Sequence, residues 1–153
     1  MKMIYYANTG VLTSRVAGSI HLNKLPMERI PAIKELIAHF ENSGGAPANF
    51  GAPLFLGKDE SGNEVFGLDF AGEPGLGLQT VYFLLTAHSN PLDWKFFNVK
   101  VSSHFYTVIG AFVYNKLKLD RLGKHIFAYG IQESYQDIVA LVKKAKELSR
   151  SFG

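Results

Sequence analysis

Short apolar runs alternate with clusters of Gly, Pro and Asn along this chain, and the period of the apolar positions shifts from one run to the next. Met3-Ile4-Tyr5-Tyr6-Ala7 is unbroken, the pattern of a strand buried on both faces. Asn8-Thr9-Gly10-Val11-Leu12-Thr13-Ser14 follows as a short polar loop, and residues 15–22 then read as a closely packed helix. Leu25-Pro26 breaks the pattern, and Pro31 suits the first turn of a second helix. Its Ile33, Leu36, Ile37 and Phe40 follow the i, i+3, i+4, i+7 rule of one buried face. Asn42-Ser43-Gly44-Gly45-Ala46-Pro47 ends that helix, and the loop runs on to about Pro53.

Residues 54–57 and 64–70 predict two strands, joined as a β-hairpin by the turn-rich Lys58-Asp59-Glu60-Ser61-Gly62-Asn63. Residues 76–87 are apolar nearly all round and predict a buried helix. Phe97, Val99 and Val101 alternate as a strand, and a mostly apolar helix is expected over residues 104–117. Residues 124–129 predict a further strand, ended by Gly130. Ser134-Tyr135-Gln136-Asp137 resembles a capping box opening a last helix, with Ile138, Leu141, Val142, Ala145 and Leu148 on its face. Strands alternating with helices imply crossover units. The expected architecture is a single α/β domain over residues 1–153: a three-layer α/β/α arrangement with a mainly parallel sheet and one inserted β-hairpin. Ligands of such sheets sit beyond the carboxyl ends of the strands, where residues 8–14, 102–104 and 130–133 are expected to converge.

Composition narrows the chemistry. A chain of 153 residues fits one domain with a core of its own. It has no cysteine, which removes disulfides, thiolate zinc sites, iron–sulfur clusters and cysteine nucleophiles together. Apolar runs such as residues 81–85 and 108–114 fall far short of the roughly 18 residues of a membrane span. No basic stretch precedes an apolar, cleavable one, so no secretory leader and a cytoplasmic location are expected. The net charge is +3. Lys116, Lys118, Arg121, Lys124, Lys143, Lys144, Lys146 and Arg150 read as solvated faces. A nucleic-acid footprint needs a denser patch, so neither nucleic acid nor membrane is an expected partner.

The first strand–loop–helix carries the clearest candidate chemistry. Unpaired N–H groups at a helix start, with the helix dipole, favour an anion. Gly10 permits close backbone approach, Asn8, Thr9, Thr13 and Ser14 supply donors, and Arg15 can reach a phosphate. The competing reading is an ordinary N-cap by Asn8, Thr9 or Thr13. The loop is neither a Walker A loop nor a G-x-G-x-x-G loop, and without Cys it is not a thiol phosphatase loop. Ser102, Ser103, Gly130 and Gln132 complete the candidate binding set at the other two strand ends. His104 is the single catalytic candidate, since it follows a strand's carboxyl end. His21, His39, His88, His104 and His125 include no i, i+4 pair and no H-E-x-x-H, so no metal site is expected. His21 is expected to pack or hydrogen-bond within the core. Asp69 and Glu73 flank the exit of the second hairpin strand, and a lone carboxylate such as Glu73 belongs in solvent. Glu133 could add a carboxylate to the third strand end. Residues 44–53 suit a closing loop, and Phe50, Phe55 or Phe66 could form a subunit interface.

Ile20-His21-Leu22-x-Lys24-Leu25-Pro26-x-x-Arg29-Ile30-Pro31 after the Gly/Thr/Ser loop resembles a small bacterial family known as domain of unknown function 3189. So do Gly57-x-Asp59-Glu60-x-Gly62-Asn63-Glu64-Val65 and the late Gly130-x-Gln132-x-x-Tyr135. The resemblance implies an α/β fold and a bacterial cytoplasmic setting, with no established activity. Members tend to carry a Cys where this chain has Ala7, a second Gly at Thr9 and a His at Leu12, which makes this a divergent member. The leading expectation is binding of a phosphorylated small molecule or nucleotide, with degenerate or weak transfer or hydrolysis chemistry as its catalytic extension. The alternative is a non-enzymatic structural or regulatory subunit, acting in a homodimer or hetero-complex. No particular cofactor is implied.

Overall fold

The computed structural model describes residues 1–8, 13–42, 50–70, 74–87, 89–100 and 120–151. The uninterrupted apolar run near the start forms β1 (Lys2–Ala7). It lies inside a four-stranded sheet of order β2-β3-β1-β4, with β2 (Leu54–Lys58), β3 (Glu64–Asp69) and β4 (Trp94–Asn98). β3 and β4 run parallel to β1, in registers that set Ala7 beside Asp69 and Tyr6 beside Asn98. β2 pairs antiparallel with β3, irregularly between Phe55 and Gly57. β1 reads as apolar throughout because both its faces are covered: Met3, Ile4, Tyr5 and Ala7 have no exposure.

Met3, Tyr5 and Ala7 face one way. They meet α1 (Thr13–His21), α2 (Ile33–Asn42) and the long α4 (Asp120–Ser151) in the larger apolar cluster. Ile4 faces the other way, and with Leu68, Phe70 and Trp94 it packs against Val81 of α3 (Gly75–Thr86). Each fully covered Leu, Ile, Val or Met side chain contributes about 1.5–3 kcal/mol. α1 lies close on the sheet because position 18 is Gly: a Cβ there would collide with the Leu56 side chain. It ends in a left-handed residue, Asn23 (φ 56°). Asn23 N–H donates to the Ile20 carbonyl and Lys24 N–H to the Ser19 carbonyl, a Schellman closure.

Three expectations fail here. Residues 124–129 are not a strand: they belong to the 32-residue helix α4, which also takes in Gly130 and the expected cap at Ser134. Phe127 and Ala128 are adjacent and both buried, which a half-exposed strand's alternation forbids and a helix allows. With Ile131, Tyr135, Ile138, Val142 and Ala145 they make one continuous helical stripe, whose burial outweighs about 1 kcal/mol for each internal Gly. The expected strand from Phe97 to Val101 is shifted: β4 starts at Trp94, and Val99 lies buried just past its end. Finally, α3 is not buried all round; Val81 is its one buried residue. Val101 and the helix expected over residues 104–117 lie outside the described residues, as do residues 44–49 of the expected closing loop.

Candidate functional site

At the carboxyl end of β1, the chain passes through Asn8, which is exposed, and re-enters the fold at the start of α1. Thr13 and Ser14 have no exposure, and Arg15 is partly exposed. Ser14 faces Asp69, the last residue of the neighbouring parallel strand β3. Its hydroxyl donates to Asp69 Oδ2 at 2.8 Å, and its backbone N–H donates to Oδ1 at 3.3 Å. Gly67 makes this possible, because a Cβ there would lie 2.9 Å from Ser14 Oγ and 3.6 Å from Arg15 Cγ.

Asp69 is 6% exposed. Burial pushes its carboxyl up from the ordinary carboxylate range, against the Ser14 hydrogen bonds and the Arg15 charge. The first turn of α1 is therefore capped from across the sheet by the chain's own carboxylate. The Ser14 amide, expected to be unpaired, has the Asp69 carboxyl as its partner.

Thr9 and Gly10, with Ser102, Ser103 and His104, lie outside the described residues. Gly130 and Gln132 are described, and they do not join this site. They sit in the body of α4 rather than at a strand end, and Gln132 Nε2 donates to the Pro31 carbonyl at 3.1 Å, beyond the far end of α1. The expected convergence of residues 130–133 with the β1–α1 turn fails because those residues extend a helix. Sequence reasoning places Asp69 at the exit of the second hairpin strand and gives it no role in the site. Its signal was an acidic residue at the carboxyl end of a strand, two positions after a Gly.

A second polar cluster joins the far end of α1 to the sheet. Tyr5 OH lies 2.7 Å from His21 Nδ1, and His21 Nε2 lies 3.0 Å from Asp59 Oδ2. Asp59 also accepts from the amides of Ser61 (2.9 Å) and Asn63 (2.8 Å) and from Asn63 Nδ2 (2.9 Å). A carboxylate met by three amide donors is ionised, so His21 donates to it through Nε2–H. Its Nδ1 then accepts from the Tyr5 hydroxyl, which fixes a neutral tautomer. Burial lowers the His21 pKa, against the pull of Asp59. Burial raises that of Tyr5. Burial also works to raise the Asp59 carboxyl, but the bonds from Asn63, His21 and the turn amides outweigh it and hold it low. His21 has no exposed surface, as its expected core role requires, and the cluster pins β1, α1 and residues 59–63 together.

A cavity of about 330 Å³ opens between the α1–α2 connection and α4, lined by Met27, Arg29, Ile30, Tyr135, Val139 and Lys143 among others. It is separate from Ser14 and Asp69. Arg29 forks onto Glu35 at 2.7 and 2.6 Å, and Glu35 also accepts from the Ala32 amide. Those bonds pull the Glu35 carboxyl down to about 2. Among the described residues, no three His, Asp or Glu side chains converge as a metal-binding group.

The family model described as protein of unknown function (DUF3189) matches residues 2–147, from β1 to near the end of α4. The chain belongs to the DUF3189 family. No curated protein and no solved structure matches it. Within this DUF3189 protein, the family match spans the Ser14–Asp69 contact, the Tyr5–His21–Asp59 cluster and the cavity alike. Among the described residues no helix is long and apolar enough to cross a membrane.

Proposed function

We propose that this protein binds a phosphorylated small molecule or nucleotide at the β1–α1 turn, in the cytoplasm, on a three-layer α/β/α domain with β2 and β3 as its inserted hairpin. The observation that carries the reading is the Ser14–Asp69 contact: a helix-start hydroxyl on a buried carboxylate at the end of the adjacent parallel strand. A bare phosphate meets a difficulty there. Two unit charges at about 4 Å repel by about 4 kcal/mol at the effective dielectric of a protein surface. A divalent cation carried by the phosphate relieves it. In nucleotide-binding α/β proteins, a helix-start hydroxyl and a strand-end carboxylate share that cation. Arg15 supplies further positive charge beside the pair.

The test is a thermal-shift series with inorganic phosphate and nucleotides, each with and without magnesium. A ligand bound well above its dissociation constant raises the melting temperature by linkage. The expected result is a shift with a magnesium-bound phosphate compound that is lost in Ser14→Ala. The absence of any shift with any phosphate compound would reject the reading.

A further inference from the structure

We infer that the cavity between the α1–α2 connection and α4 binds a free α-amino acid with an apolar side chain. The two sequence stretches that carry the family resemblance, residues 20–31 and 130–135, meet at this cavity and build it. Gln132 Nε2 donates to the Pro31 carbonyl at 3.1 Å, and Tyr135 OH, one helical turn further along α4, donates to the Pro26 carbonyl at 2.6 Å. The connection is thus fastened to α4 at both ends of a short arch. Residues 27–30, between the fastenings, all line the space beneath it. A further tie holds the arch in shape: Arg29 forks onto Glu35, which also accepts from the Ala32 amide. The opposite wall is one stripe of α4 within residues 135–143.

The space suits a small molecule with an apolar body. Its volume of about 330 Å³ is the room of roughly ten waters, near the lower bound of roughly 300 Å³ for ligand sites, which fits leucine or phenylalanine better than a nucleotide. Tyr135 and Val139, 1% and 8% exposed, form the floor. The Tyr135 hydroxyl is committed to Pro26, so its ring is what remains for contact. Ile30 stays 41% exposed on the arch, apolar surface that a bound side chain would cover.

The charges select a zwitterion. Arg29 and Glu35 satisfy each other. Glu28 and Lys143 do not: they line the cavity from opposite walls, Glu28 on the arch and Lys143 on α4, and neither has an ion pair or hydrogen bond among the described residues. An ammonium matches Glu28 and a carboxylate matches Lys143, the two charges that a free amino acid carries at neutral pH. Gln136, also in the lining, has both a donor and an acceptor and serves either group. The two cations and two carboxylates of this rim cancel, so a bare anion such as phosphate finds no net charge to draw it. Rim charges of this kind set orientation and choice of ligand, while the apolar wall holds its body.

Calorimetric titration with leucine and phenylalanine, beside phenylpropanoate and phenethylamine, tests this. The last two keep the apolar body of phenylalanine and lack its ammonium or its carboxylate. Leucine or phenylalanine should bind with a dissociation constant of about 1 mM or below, and each truncated compound about fivefold more weakly than phenylalanine. Glu28 and Lys143 are exposed, so Glu28→Ala and Lys143→Ala should melt as the unmutated protein does. Each should weaken phenylalanine binding by about fivefold. Amide chemical shifts moved by phenylalanine should centre on residues 27–30 and 135–143. No binding of either amino acid in this range overturns the inference. So does a truncated compound that binds as tightly as phenylalanine, an affinity unchanged in either variant, or shifts centred elsewhere.

Discussion

Removing the Asp59 carboxylate should destabilise the fold far more than removing an ordinary turn residue. Asp59→Ala leaves His21 Nε2–H, the Asn63 amide and Asn63 Nδ2 without their acceptor, and the Ser61 amide too. Ser61 is exposed and recovers water, but His21 and Asn63 are buried. A hydrogen bond to a charged group is worth about 1.5–3 kcal/mol, so stranding these two buried residues, with only one such bond counted for each, implies a loss of about 3–6 kcal/mol. That is a large share of the 5–15 kcal/mol of a typical domain. At about 2–4 °C per kcal/mol for a domain of this size, the melting temperature should fall by roughly 6–24 °C. Urea unfolding followed by far-ultraviolet circular dichroism reads the loss as a shift in midpoint at unchanged slope. A loss below about 1 kcal/mol would refute the claim that Asp59 is the buried acceptor of the cluster.

Three further outcomes follow from other contacts. Burial holds the His21 pKa below its usual value, so the unfolded chain takes up this proton first as pH falls; stability should be full at about pH 7.5 and decline from there to about pH 5.5, most steeply below about 6.5, by up to about 1.4 kcal/mol per unit, and a flat denaturation midpoint across that window would contradict it. Gly67→Ala should destabilise by about 1–3 kcal/mol, because the new Cβ presses on Ser14 Oγ and must displace it from Asp69; calorimetric melting checks this. Asn23→Ala should cost about 1–2 kcal/mol, since alanine resists the left-handed closure of α1, whereas Asn23→Gly should cost less; equilibrium unfolding of the pair distinguishes them.

Much of this fold is legible in the residue pattern because most elements have one dominant signal. Met3 to Ala7 can only be a covered strand, and the four apolar positions of α2 all meet the core, two buried and two partly so. The last helix was obscured by its own ambiguity. Ile126-Phe127-Ala128-Tyr129 is a short apolar run that suits strand or helix, and Gly123 and Gly130 mimic its ends. Only tertiary burial of the stripe from Phe127 to Ala145 decides it. α3 misled in the opposite sense: an all-apolar helix announces cover without saying what provides it. At the site, hydroxyls at a helix start are visible in sequence, but their partner is not. Asp69 is 55 positions from Ser14, and only the parallel register of β1 and β3 brings the two together.

Admission of a ligand's negative charge beside Asp69 decides the proposed site. Calorimetric titration of a nucleotide, with and without magnesium, into the unmutated protein and Asp69→Asn measures this directly. The unmutated protein should bind the magnesium complex and bind the free nucleotide at least tenfold more weakly, about 1.4 kcal/mol. Asp69→Asn should narrow that gap by binding the free nucleotide better. Equal affinities with and without the metal in both proteins, or no heat of binding in either, would contradict the proposed site.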